Sequence, residues 1–264
     1  MLFLEPRVTP VAAALCRRTF AKTVRRPVVL TFSFVQPLLW MCFFGFLFHR
    51  YGLEEVTPAG ETPLRYLDFL LPGVCAMTVL FGASQSGIGW IRDLQTGFLP
   101  RMLRSPAPSW AILLGKLGAD VLRLVVQALL VLVLGLILGA RVAPVFPQVL
   151  WGLLCLVLFA LAFASLSCAI ALITRAQESM AVFVHLVNMP LLFTSSALVP
   201  GKQMPEWLAA IARFNPLTLA VDAWRGAILL HEPVSFLGQI VPLVVVAGAL
   251  FLLAASAMRR VPLS

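Results

Sequence analysis

Few side chains in this sequence could do chemistry, and those that could are set among long apolar runs. Ser86 and His185 would serve as nucleophile and base if the fold brought them together, since such a pair needs only to meet in space. The flanking Ser84-Gln85-Ser86-Gly87 lacks the first glycine of a GxSG motif, so an intramembrane hydrolase would rest on that pair alone. No HExxH occurs, which excludes a helix-borne zinc protease, and no GxxxxGK(S/T) loop occurs to cradle phosphates. Asp120 stands in an apolar run with Lys116, Arg123 and Gln127 about one helical turn away. An ion-coupled carrier needs such an acid, whereas two basic neighbours at pairing distance suit a neutralised structural cluster. Gln85 has an amide that cannot face lipid cheaply. His185 and Asn188 share one helical face just before Pro190, which frees a carbonyl one turn back and kinks a helix. Polar groups at such depth turn toward another helix or a water-filled path.

These residues must be positioned by elements that live in lipid. With 61% hydrophobic and only 12% charged residues, the chain cannot hide its apolar surface in a soluble core. Six apolar runs are long enough to cross a bilayer: approximately Val28 to Phe48, Phe69 to Trp90, Ala111 to Gly139, Val149 to Ile173, Met180 to Val199 and Phe236 to Met258. Backbone groups in lipid must be satisfied within the segment, so each is a helix. The expected fold is an all-α integral membrane domain over 1–264. It divides into a cytoplasmic interfacial helix (1–27), spans one to five (28–199), an outer region (200–235), the sixth span (236–258) and a cytoplasmic tail (259–264). Nothing suggests a soluble second domain or an internal repeat.

Lys and Arg near span ends mark the cytoplasmic side. With the N-terminus inside, that side takes Arg7, Arg17, Arg18, Lys22, Arg25, Arg26, Arg92, Arg101, Arg104, Lys116, Arg175, Arg259 and Arg260, while most acidic residues fall outside. The net charge of +9 is thus a topology signal, spread over alternate loops rather than along one nucleic-acid-binding face. The basic N-terminus precedes a run too long for a signal peptide, so the first span is read as uncleaved. Cys42, Cys75, Cys155 and Cys168 fall in spans and Cys16 on the cytoplasmic side, so no structural disulfide is expected. Small residues from Gly82 to Gly89 and from Ala160 to Ala169 suit close helix packing.

Before the first span, Ala13, Cys16, Phe20 and Val24 recur at helical spacing opposite Arg18, Lys22, Arg25 and Arg26, the pattern of a helix lying in the interface. After the second span, Leu94, Phe98 and Met102 recur at i, i+4 and i+8, with Arg101 and Arg104 on a basic face. That spacing predicts a short amphipathic helix on the cytoplasmic surface, weakened by Gly97 and Pro100 and stopped by Pro106 and Pro108. Phe98, Leu99, Met102 and Leu103 left in water cost on the order of a kcal/mol or more each, so a partner is expected. On the other side, His49 to Tyr66 reads as a polar loop. Pro200 to Pro233 instead carries two short apolar faces, Trp207, Leu208, Ile211 and Phe214, then Leu217, Val221, Trp224 and Ile228, separated by Asn215-Pro216. These are expected as two short outer, re-entrant helices, with Pro216 in the first turn of the second.

The stretch Arg92-Asp93-Leu94-Gln95-Thr96-Gly97-Phe98-Leu99-Pro100-Arg101-Met102-Leu103, then Pro106, Ile112-Leu113-Leu114-Gly115-Lys116, Asp120 and Arg123, resembles the cytoplasmic loop of type-2 ABC exporter permeases. It is especially similar to the daunorubicin-resistance kind, and nodulation-factor-export permeases share much of the pattern. Phe193, Ser195-Ser196-Ala197, Pro200, Met204-Pro205, Trp207-Leu208, Phe214-Asn215-Pro216-Leu217-Thr218, Asp222 and Arg225 are similar to the region before that family's last span. The resemblance implies a six-span permease subunit of a bacterial inner (cytoplasmic) membrane, with both termini cytoplasmic and no cofactor of its own. It would pair with a second copy or close relative and with two ATP-binding subunits that hold ATP and Mg. It also implies residue roles: coupling to the ATPase by Arg18, Lys22, Leu94, Phe98, Arg101, Met102 and Arg104; a substrate pathway near Gln85, His185, Asn188 and Phe193; and an outer gate at Asn215, Pro216, Asp222 and Arg225. The substrate class implied is amphipathic: a lipid-like molecule, glycolipid or drug. The residues alone leave open an ion-coupled carrier using Asp120 and a hydrolase using Ser86.

Overall fold

Continuous apolar sequence forces the backbone to satisfy its own hydrogen bonds, and in the computed structural model nearly all of the chain's described residues are helical. These are residues 27–48, 65–105, 107–142, 146–229 and 236–261, together with Ala14 and Arg17. The expected interfacial helix with Arg18 and Lys22, and nearly all of the polar loop after the first span, lie outside them. The elements are α1 (Pro27–Leu47), α2 (Tyr66–Gln95), α3 (Phe98–Leu103), α4 (Ser109–Ile137), α5 (Phe146–Thr174) and α6 (Gln177–Phe193). A 3-10 turn at Gly201–Gln203 then precedes α7 (Glu206–Ala212), α8 (Pro216–Ile228) and α9 (Phe236–Arg259). No β-strand occurs among the described residues.

Among the described residues, four helices are long and apolar enough to cross a membrane: α2, α4, Pro147–Thr174 of α5 and Leu237–Arg259 of α9. Helix α1 has 21 residues, a rise of about 31 Å. The fifth expected span, Met180 to Val199, is corrected: α6 has 17 residues and ends at Phe193, a rise of about 26 Å. The cause is local. Thr194 Oγ1 donates to the Pro190 carbonyl at 2.8 Å and Ser195 Oγ to the Leu192 carbonyl at 2.7 Å, a competition that favours turns over continued helix.

Helix α2 is the centre of the bundle, with 83% of its most apolar window buried, against 22% for α9. It packs on α1, α4, α5, α6 and α8. Small residues permit this. A Cβ on Gly87 would lie 2.5 Å from Met180 Cε and 2.7 Å from Ser167 Oγ, and one on Gly73 would collide with the Ala197 backbone, so any larger side chain would push neighbouring elements apart. The opposite surfaces are apolar. Leu39, Phe43 and Phe46 of α1, Leu130, Val133 and Ile137 of α4, and Leu237, Val241, Val245 and Leu252 of α9 are exposed. Each would cost about 1.5–3 kcal/mol in water, so lipid or another protein must cover them.

Because α2 runs through the whole bundle, it has two ends of different character. Its Tyr66 end packs against α8 and is called the cap end; its Gln95 end leads into α3 and is called the loop end.

Candidate functional site

At the loop end α2 continues past the expected boundary at Trp90 to Gln95. Thr96 then returns its hydroxyl to the Arg92 carbonyl at 2.9 Å, and Gly97 adopts φ 69°, a left-handed value that glycine tolerates without a Cβ penalty. The turn resets the helical phase before α3, which has six residues. Leu94, Phe98 and Met102 therefore do not form one unbroken stripe: Leu94 ends α2, while Phe98 and Met102 belong to α3. The side chain that anchors α3 is Leu99, 2% exposed, which the spacing did not single out. Phe98 and Met102 are half-buried, and Arg101 and Arg104 are exposed. Arg101 folds back, its Nε donating to the Gly97 carbonyl at 3.1 Å and its Nη2 to that of Thr96 at 3.2 Å. A short helix pinned by Leu99, with a basic outer edge, results.

Just above α3 lies a buried polar row between α2 and α4. Lys116 Nζ meets Asp93 Oδ2 at 2.6 Å, donates to the Gly89 carbonyl at 3.2 Å and sits 3.9 Å from the Trp90 ring centre. Further in, Arg123 Nη2 donates to the Gly82 carbonyl at 3.2 Å and to Ser86 Oγ at 3.0 Å. Both cations of the expected cluster give their hydrogen bonds to α2, and among the described residues Asp120 Oδ2 has no hydrogen-bond partner, while the charges of Arg123 and Lys116 still act on it. Ser86 Oγ gives its proton to the Gly82 carbonyl at 3.3 Å while accepting from Arg123, so its hydroxyl is committed without His185.

Midway along α2, Ser84 Oγ donates to Asn188 Oδ1 of α6 at 2.9 Å. Asn188 is 0% exposed. Ser167 Oγ of α5 donates to the Ser84 carbonyl at 2.7 Å and accepts the Gly87 N–H at 2.9 Å, binding three helices at one level. Of the pathway candidates, Asn188 thus turns into the bundle, whereas Gln85, His185 and Phe193 are exposed.

The cap end is a web of backbone contacts. Asn215 caps α8 by accepting the Leu217 N–H at 2.8 Å, with Pro216 at its start, and its Nδ2 donates to the Leu191 carbonyl at 2.7 Å and Thr194 Oγ1 at 2.9 Å. Arg225 Nη1 pairs with Asp222 Oδ1 at 3.0 Å. Its Nη2 donates to the Ser196 carbonyl at 3.0 Å and the Phe69 carbonyl at 3.4 Å, and the guanidinium lies 3.8 Å from the Phe69 ring centre. Ser196 Oγ donates to Asp222 Oδ1 at 2.7 Å. Tyr66 OH donates to the Leu198 carbonyl at 2.8 Å, and Asp68 Oδ1 accepts the Arg141 N–H at 2.7 Å. Asn215, Pro216, Asp222 and Arg225 are therefore brought together around one short helix. The two short helices differ more than their composition implies: α8 is buried along Leu217, Val221, Trp224 and Ile228, while α7 exposes Trp207 (66%) and Ile211 (50%).

The sequence over residues 11–229 matches the family described as ABC-2 type transporter. The chain belongs to the ABC-2 type transporter family. Among its relatives is a daunorubicin resistance ABC transporter permease, DrrB1, of Streptomyces coeruleorubidus, 30% identical over 96% of this chain and 87% of that protein. The transport permease ycf38 of Cyanophora paradoxa is 31% identical over 80% of this chain and 71% of its own length. A doxorubicin resistance ABC transporter permease, DrrC, of Mycobacterium tuberculosis is 24% identical over 79% of this chain and 73% of its own. The ABC-2 family match begins in the N-terminal segment and runs through α8, so it takes in every element that carries the polar groups described above. The protein is an ABC transporter permease of a membrane.

Proposed function

We propose that this chain is the membrane-spanning subunit of an ATP-driven exporter. It works with a second copy of itself, or a close relative, and with two ATP-binding subunits that supply ATP and Mg. In this arrangement α1, α2, α4, α5, α6 and α9 provide six crossings, both termini lie in the cytoplasm of a bacterial cell, and the loop end faces the ATPase. The substrate is an amphipathic drug, lipid or glycolipid moved outward from the cytoplasm or inner leaflet. Relatives that carry daunorubicin or doxorubicin resistance in their names favour a drug-like cargo.

The observation that carries this reading is the break at Gly97. It makes α3 a separate basic helix joined by two residues to the most buried helix of the bundle. A push on α3 is delivered to α2, and rigid-element shifts of this kind switch packed bundles between discrete arrangements. Phe98 and Arg101 present the face that receives the push, with Leu94, Met102 and Arg104 beside them. Gln85, His185 and Phe193 lie on the surface that a second copy would enclose as a pathway, with Asn188 bracing it, and α8 stands over that pathway at the cap end as its gate.

Reconstitution with the ATP-binding partner tests the proposal. Transport should require ATP, and Phe98→Ala or Arg101→Glu should lower substrate-stimulated hydrolysis several-fold while insertion stays intact. Transport driven by a proton or sodium gradient without nucleotide, and abolished by Asp120→Asn, would overturn it.

A further inference from the structure

Lys116 and Asp120 are one helical turn apart on α4 and both are 8% exposed, yet among the described residues no hydrogen bond joins them and only their charges interact. Lys116 reaches across to Asp93, four residues before the Gly97 turn that starts α3. Arg123, the other cation within reach of Asp120, is engaged by the Gly82 carbonyl and Ser86. A buried carboxylate whose Oδ2 has no hydrogen-bond partner among the described residues is costly in one rigid arrangement. It becomes intelligible as an acceptor that is empty in this arrangement and filled in another.

We propose that Asp120 is a positioning residue for the transport cycle: it is the second docking point of Lys116, taken up when movement of α3 draws Asp93 away. The proposal rests on the reading of α3 as the element an ATPase pushes. Its physical basis is that stranding a buried ammonium is strongly unfavourable, so the α2–α4 contact can open at the loop end only if Lys116 finds a new carboxylate. An acid at i+4 on its own helix is within reach of a lysine side chain without any movement of α4. The row of acceptors on α2 would then part from α4 at Asp93 first, while Arg123 keeps the helices together deeper in. Opening is thereby confined to the end beside α3.

The two carboxylates consequently act in opposite directions. Asp93→Asn weakens the arrangement seen here and favours the switched one without nucleotide. Asp120→Asn leaves the present hydrogen bonds intact and removes the destination. The test uses the complete complex with its ATP-binding subunits, carrying bioorthogonal spin labels at Gln95 and Leu122, both exposed, so that the native cysteines are untouched. Wild type should show a longer Gln95–Leu122 distance with a non-hydrolysable ATP analogue. Asp93→Asn should show the longer distance already without nucleotide, with basal hydrolysis raised about threefold. Asp120→Asn should keep the short distance in both conditions and lose about tenfold in transport per ATP hydrolysed, with thermal stability no lower than wild type. Equal distances in wild type and Asp120→Asn with the analogue, or shifts of the two variants in the same direction, would overturn the proposal. Should Asp93→Asn fail to assemble, Asp120→Asn decides alone, because it removes no bond from the resting arrangement. Absence of any nucleotide response in wild type would instead overturn the exporter reading.

Discussion

The two ends of α2 are both polar and buried, but they are built on different partners. At the cap end, Arg225, Tyr66, Asn215 and Asp68 bind backbone groups of Ser196, Phe69, Leu198, Leu191 and Arg141. Backbone partners cannot be exchanged without remaking the chain path, so these contacts tie α8 to α2 and to the segment after α6. At the loop end, the Lys116 ammonium is matched to a side-chain carboxylate, Asp93, with a second carboxylate one turn away. Side-chain partners can be exchanged by rotation. A permease that must alternate between arrangements needs both kinds of joint: a fixed one to keep its helices in register, and an exchangeable one beside the element that is pushed.

That contrast can be broken or sharpened, starting with its largest expected effect. Arg225→Met strands two carbonyls and a carboxylate; the cost is about 3 kcal/mol, at the low end for a broken buried pair because Asp222 is 41% exposed and water can take it up. Thermal unfolding in detergent should show the loss, and an unchanged transition would mean that the web is decorative. Leu99→Ala empties the anchor of α3 and should cost about 2–3 kcal/mol, together with loss of stimulated ATPase activity. Retained coupling with lowered stability would show that α3 need not be docked to receive a push. At the cap end, Gly73→Ala drives a Cβ against the Ala197 backbone and should cost about 1–3 kcal/mol; proteolysis within the segment from Ser195 to Pro200 would become faster. The smallest effect is expected midway. Ser84→Ala removes one interhelical hydrogen bond to Asn188, worth about 0.6 kcal/mol in lipid, so unfolding should barely move. A large effect there would promote Asn188 from a brace to a structural keystone.

Much of this arrangement was legible from residue types. The apolar runs predicted every long helix, and Asn215-Pro216 predicted the start of α8, because a side-chain acceptor followed by a residue without an N–H meets the needs of a helix N-terminus. Other features were hidden for definable reasons. Lys116 looked paired with Asp120 because spacing along one helix reveals only neighbours on that helix; its actual partner is on α2. Leu99 stands off the stripe of Leu94, Phe98 and Met102 because a helical phase run straight through Gly97 ignores its positive φ, which resets that phase. The end of α6 was misplaced because hydropathy ignores the hydroxyls of Thr194 and Ser195, which bond back to carbonyls. Gln85, His185, Asn188 and Phe193 are grouped by the resemblance, yet only Asn188 is buried, since which side of a helix is enclosed depends on its neighbours.

What residue order alone determined is therefore local: where lipid-compatible helices run, where they are capped or broken, and that a basic helix-loop interrupts them after the second. Each follows from hydropathy, helix-end chemistry and glycine geometry acting within a few residues. The tertiary structure decided everything that depends on a partner from another helix: that α2 is the core, that α8 is buried while α7 is not, and that Lys116 takes Asp93 and leaves Asp120 unmatched. The physical reason is that burial and charge pairing are properties of contacts between segments, and the close approach of α2 to α4, α5 and α6 through its small residues is what brings those contacts into being.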